Sequence, residues 1–128
     1  MQRVGWVRIV GVAGTIWNVA GVFSYLAHVG VIGDAGNASG GAEMPAAVTA
    51  CFAIGVFGGV AGSIALAMLS SWARSLLWLS WAGTLIDWVW VFTSSDDASI
   101  PLGAAVLSVA TVLVLVAEWR ARRVPTLR

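Results

Sequence analysis

Four long apolar stretches, separated by loops that carry either basic or acidic residues but not both, leave this chain very few ways to fold. A helix needs about 20 predominantly apolar residues to cross about 30 Å of hydrocarbon. The sequence predicts such spans at about 4–31, 45–69, 75–93 and 100–119. Inside a membrane every backbone N–H and C=O must be satisfied within the chain, and for segments of this length the α-helix achieves that. The expected fold is therefore all-α. It is a polytopic up-down bundle of four transmembrane helices, one domain over residues 1–128, with sequential helices antiparallel because their connections are short.

Charge gives the orientation. There is no lysine, and the arginines fall on one side of the ladder: Arg3 and Arg8 before the first span, Arg74 between the second and third, and Arg120, Arg122, Arg123 and Arg128 after the fourth. The alternate loops hold Asp34 and Glu43, then Asp96 and Asp97. The positive-inside rule makes both termini and the middle loop cytoplasmic, and the expected location is a bacterial inner membrane. A hydrophobic fraction of 59% against 10% charged residues leaves too little polar surface for a water-soluble domain. The expected partner is the lipid bilayer and not a nucleic acid, since the arginines sit at membrane edges. There they attract anionic headgroups by about 1 kcal/mol each. Cys51 is the sole cysteine, so no internal disulfide and no thiolate metal site is expected. Arg3 and Arg8 form a basic start like that of a signal peptide, but the apolar run behind them is too long for one and lacks a clean cleavage site. A retained first helix is expected.

Punctuation and aromatic residues agree with these limits. Pro45 suits the first position of the second helix, where its missing N–H needs no partner. Gly33–Glu43 reads as a flexible exterior loop, Ser70–Arg74 as a tight cytoplasmic turn, and Ser94–Ser99 as a second exterior turn whose acids favour the start of the fourth helix. Trp6, Trp72 and Trp119 fall at the cytoplasmic interface, and Trp88 and Trp90 approach the exterior one.

Polar residues within the spans follow helical spacing. Gly14, Asn18, Gly21, Tyr25 and His28 recur at intervals of four, three, four and three, which places them on one face of the first helix. Ser80, Thr84 and Asp87 keep the same rhythm in the third span, and Pro101, Ala104, Ser108, Thr111 and Glu118 in the fourth. These stripes predict an inward polar lining. Topology puts Asn18 near mid-depth and Tyr25, His28 and Asp87 in the outer half, so the last three are expected to converge on an outward-facing pocket. Two readings stand for most of these groups. Asn18, Ser80, Thr84 and Ser108 serve equally as interhelical hydrogen-bond glue, at about 0.6 kcal/mol per contact, and His28 as a solvated interfacial residue. Asp87 costs more to place in a span, about 2.5–3.5 kcal/mol at the centre. It is a candidate for ligand, proton or ion binding unless it reaches interfacial water. Glu118 is expected to pair with Arg120 and Arg122.

The second span has instead a small-residue face. Gly55, Gly58, Gly59 and Gly62 contain two overlapping small-xxx-small patterns. These admit close packing either within the bundle or against a second protomer or membrane partner. Trp78, Trp81 and Trp88 flank the polar stripe of the third span, either as lipid-facing rings or as stacking surfaces. No paired catalytic carboxylates, no Cys/His metal spacing and no phosphate-binding glycine loop is present, so neither an enzyme nor a cofactor is expected.

The run Trp17-Asn18-x-x-Gly21-x-x-x-Tyr25-Leu26 resembles the signature of a group of small bacterial four-span inner-membrane proteins often labelled "sugar transporter". The similarity continues through Pro45, Val56-Phe57-Gly58-Gly59-x-x-Gly62, Trp72-Ala73, and Ser80 with Gly83, and so covers about the first three spans. It departs where the middle turn carries the single Arg74 and where no tryptophan closely follows Pro45. The resemblance implies a bacterial inner-membrane bundle and singles out Trp17, Asn18, Gly21 and Tyr25. The functional expectation is a small protein that binds or transports a small, sugar-like polar solute through an outer pocket formed by Trp17, Asn18, Tyr25, His28, Ser80, Thr84 and Asp87. The alternative is an accessory protein that docks on a larger complex through the glycine face of the second span, which in a carrier would serve a homodimer instead.

Overall fold

The computed structural model describes residues 2–28, 45–94 and 100–123, with side chains over 5–27, 45–94 and 100–122. They form four helices: α1 (Gln2–His28), α2 (Ala46–Ala67), α3 (Trp72–Ser94) and α4 (Ile100–Arg123). Each contains a span long and apolar enough to cross a membrane. The fold is an all-α four-helix bundle, and the protein is a multi-pass membrane protein. Residues 29–31 of the first expected span, both acidic loops and Arg128 lie outside the described residues.

Two boundaries differ from expectation, each for a local reason. The α2–α3 turn is shorter than expected and α3 begins at Trp72. α2 ends in a tight reversal: the Ser70 N–H reaches the Ala65 carbonyl at 2.8 Å and the Leu69 N–H reaches that of Leu66 at 3.0 Å. This is the Schellman pattern, and it puts Leu69 at φ 58°, a left-handed position normally given to glycine. Ser70 then starts α3, its Oγ accepting the Trp72 N–H and its carbonyl the Ala73 N–H. At the other boundary, α4 runs on to Arg123, and Arg120 is buried at 5% exposure instead of meeting headgroups. Its guanidinium donates to the Leu69 and Ser70 carbonyls, so α4 holds the α2–α3 turn in place.

Arg120 therefore does not pair with Glu118. Glu118 accepts instead from the Arg74 Nε and, at 2.9 Å, from the Trp78 indole N–H, with Arg122 at 3.8 Å. The Trp81 indole N–H donates to Thr111 at 3.1 Å. The polar residues of α4 thus stitch its flank to α3. Ser108 and Thr111 are exposed on that side and do not line the interior, contrary to the expected inward stripe. The α4 face that turns inward is apolar, with Leu113, Val114 and Ala117 buried.

α2 lies between α1 and α3, and its glycines face both neighbours. A Cβ on Gly55 would strike Thr84, one on Gly58 would press on Ser80, and one on Gly62 would strike Leu77, all on α3; one on Gly59 would strike the Asn18 amide on α1. The small-residue face is thus occupied inside the protomer. Gly55, Gly59 and Gly62 are buried there, and Gly58 is half-buried. Two glycines outside that face meet main-chain atoms at close range, Gly11 the Ala67 backbone and Gly83 the Cys51 and Gly55 backbone.

The packed core sits at the arginine-bearing end, where Val7, Ala65, Leu66, Ala73, Leu77, Leu113, Val114 and Ala117 form one cluster. Large apolar side chains also point outward along the bundle, with Ile9 at 70%, Ile16 at 68% and Met68 at 73% exposure. Such a surface is stable against lipid and not against water. In the half of the bundle away from the arginines the helices border a cavity.

Candidate functional site: an acidic cavity in one half of the bundle

The cavity has a volume of about 220 Å³ and takes wall from all four helices. Its position follows from the residues around it. α1 and α4 touch at the arginine-bearing end, where the Trp6 and Trp119 rings lie 5.1 Å apart and Gly14 admits Leu113. In the other half, Ala20, Gly21 and Ser24 of α1 and Leu102 and Val106 of α4 face the cavity instead. Small residues on α1 leave that space open.

Among the described residues, Asp87 is the one ionisable group in its wall. The residue is 6% exposed, and among the described residues Oδ1 has no hydrogen-bond partner. The helical spacing from Ser80 through Thr84 to Asp87 carries the α3 stripe from the interface with α2 into the cavity. Ser80 donates to the Gly55 carbonyl at 2.6 Å, which fixes α3 against α2 one turn below. Thr84 lies against Gly55 and Asp87 opens into the cavity. On α1, the Asn18 amide N–H₂ donates to the Gly14 carbonyl at 2.8 Å and to the Ser63 hydroxyl at 3.4 Å. Asn18 also borders a second void of about 20 Å³, shared with Trp17, Ser80 and Thr84, which has room for about one water molecule. A polar column thus descends from Asp87 through Thr84 to Asn18, Ser80 and Ser63.

Ser80→Ala is expected to lower stability by about 0.6 kcal/mol, the usual size of such a contact in a membrane bundle. Reversible unfolding in mixed micelles measures it. A loss above about 2 kcal/mol would mean that Ser80 does more than join α2 to α3.

Of the residues expected to form the pocket, Trp17, Asn18, Thr84 and Asp87 line the cavity; Gly21, expected as a helix-packing residue, packs against Val56 of α2 and also borders it. Ser80 borders the smaller void. Tyr25 is placed elsewhere: its ring packs edge-on to Phe52 at 5.4 Å and Phe57 at 5.6 Å. It clasps α1 to α2 and does not join Asp87. His28 ends α1, with its side chain outside the described residues. Trp88 is not an interfacial belt residue, being 7% exposed and part of the cavity wall. Sequence reasoning also missed Phe52, Val56, Val91, Leu102 and Val106, because an apolar residue on an apolar helix gives no sign that it faces a cavity instead of lipid. Ser63 had a legible signal, since it lies four residues after Gly59 on the small-residue face.

The wall is therefore mostly apolar and aromatic, with a few polar groups and one acid. Among the described residues no cluster suited to a metal ion occurs. The chain matches no protein-family model, no curated protein and no solved structure.

Proposed function

We propose that this protein is a solute-binding component of a bacterial inner membrane, with its arginine-bearing end cytoplasmic and its cavity in the outer half of the bilayer. The observation that carries the reading is Asp87, a buried carboxylate with an unsatisfied oxygen in the wall of a cavity. An uncompensated polar atom in an apolar bundle is costly, and intramembrane acids commonly mark substrate or ion pathways. Pockets with apolar walls and a few convergent polar groups are the usual form of small-molecule sites. Among the described residues, nothing in the wall pairs a nucleophile with a base, which supports binding over catalysis. The packed core closes the cytoplasmic half, which makes binding the primary event; release to the other side would require that core to open.

The test is a thermal-shift panel of small solutes (sugars, amines, carboxylates and neutral aromatics) on the detergent-purified protein, beside Ala20→Trp. Ala20 is exposed at the cavity rim, so an indole there fills the mouth with no core contact to disturb. At least one solute class is expected to raise the wild-type melting temperature, because a ligand that binds only the folded state stabilises it by mass action. Ala20→Trp is expected to lose that shift while unfolding near the wild-type temperature. A panel without any shift, or equal shifts in both proteins, overturns the reading.

A further inference from the structure

We infer that the cavity takes a small organic cation with an apolar or aromatic body, held by the Asp87 carboxylate and the faces of Trp17, Phe52 and Trp88. This rests on the solute-binding reading above and names the chemical class of the solute.

Charge is the first argument. Among the described residues, no cationic side chain lines the cavity. Arg74, on the same helix as Asp87, is thirteen residues away, which at a 1.5 Å rise is about 20 Å along the axis. Arg74 and Arg120 are moreover engaged at the opposite end, with Glu118 and with the α2–α3 turn. The protein thus supplies an acid and, among the described residues, no cation to face it. A cation entering with the solute answers the unpartnered Oδ1.

The aromatic wall is the second. Trp17, Phe52 and Trp88 come from three different helices and border the same space as the acid. A cation near the face of a tryptophan or phenylalanine is attracted by the ring quadrupole, and the attraction grows when water is excluded. A carboxyl group in a cavity bordered by three rings suits an ammonium group, and apolar Val56, Val91 and Val106 accommodate its hydrocarbon body.

Hydrogen-bonding capacity points away from a sugar. A sugar brings a donor and acceptor on nearly every carbon. The wall offers the side chains of Asn18, Ser24, Thr84 and Asp87 and the indole N–H groups of Trp17 and Trp88, and Asn18 and Ser24 already donate to the Gly14 and Ala20 carbonyls. Unpaired hydroxyls in the remaining apolar space would each cost desolvation.

Access is the last argument. The exposed rim residues Trp17, Ala20, Ser24 and Leu102 place the mouth between α1 and α4, on the flank of the bundle from mid-span outward. An amphiphilic cation partitions into the outer leaflet and reaches such an opening directly.

The experiment measures equilibrium binding of benzyltrimethylammonium and of neopentylbenzene to the full chain in detergent. The two probes share a shape, with the ammonium nitrogen replaced by carbon in the second. Wild type is expected to hold the cation at least about tenfold tighter, about 1.4 kcal/mol, and Asp87→Asn to erase that preference while still binding the neutral probe. Trp17→Leu is expected to weaken the cation severalfold, and it tests the ring contribution should Asp87→Asn fail to fold. Equal affinity of wild type for the two probes, or an undiminished preference in Asp87→Asn, overturns the cationic assignment and leaves the cavity as a site for neutral solutes. Methyl glucoside binding in place of both probes overturns it in favour of a polyol. Failure of all three probes, together with an empty thermal-shift panel, overturns the solute-binding reading itself.

Discussion

Gly83→Leu is expected to abolish the native bundle. A Cβ at this position would lie 2.7 Å from the Cys51 carbonyl oxygen and 3.0 Å from the Gly55 backbone nitrogen. Both are main-chain atoms of α2, so no side-chain rotation relieves the collision. α2 and α3 must separate, which strains the Ser80 hydrogen bond to Gly55 and the Thr84 contact with it. Overpacking a core commonly costs about 1–3 kcal/mol, and rigid backbone neighbours place this case above that range. Against a total stability of about 5–15 kcal/mol, the variant is expected to purify as aggregate or to melt far below wild type. Gly5 is the matched control, with nothing within 4 Å of its Cβ position. Gly5→Leu is expected to stay within about 0.5 kcal/mol of wild type. Size-exclusion profiles and unfolding curves of the two variants decide the matter, and a Gly83→Leu protein as stable as Gly5→Leu would show that the α2–α3 approach is not as close as described.

Arg120→Met is the second large effect, expected at about 3 kcal/mol. Charge-assisted hydrogen bonds are worth about 1.5–3 kcal/mol each, and the guanidinium makes one to Leu69 and one to Ser70. Part of that gain is offset by relief from burying the charge, whose Nε has no partner. Methionine keeps the length and apolar stem, so the loss reports on the carbonyl contacts and not on a void. The consequence extends beyond α4, because those carbonyls belong to the turn in which Leu69 holds a left-handed conformation. Without Arg120 the α2–α3 connection is expected to fray, seen as faster amide exchange from Met68 to Ala73. Arg120→Lys is expected to recover less than half of the loss, since an ammonium lacks the guanidinium's fork of donors. Wild-type stability in Arg120→Met, with unchanged exchange in the turn, would mean that the two hydrogen bonds contribute nothing net.

These two residues show where sequence reasoning reached its limit. Arg120 reads naturally as one more basic residue at a membrane edge, or as a partner for Glu118 two positions before it. Only the fold brings it onto a turn fifty residues away, leaving Glu118 to Arg74, Trp78 and Arg122. Gly83 belongs to no small-xxx-small pair with the glycines of α2, because the pattern it completes lies across two helices. Asp87 was legible for a different reason. A carboxylate in a hydrophobic span is rare enough for chemistry alone to single it out. Its supposed companion Tyr25 was not, because a period of three or four residues selects a helix face without saying which neighbour that face meets. In the structure Tyr25 meets Phe52 and Phe57.

The sequence by itself determined the number of helices, their approximate limits and which residues share a face of one helix. Those depend on length, hydropathy and the 3.6-residue period, which are properties of each segment alone. Tertiary structure decided how the helices share their faces. α2 spends its glycines on α1 and α3, α4 turns an apolar face inward, and α1 parts from α4 around a cavity about 220 Å³ in volume. In lipid no difference in hydrophobicity separates a core-facing leucine from an outward-facing one. Only the fit of side chains on neighbouring helices makes that choice, and it is not written in any one span.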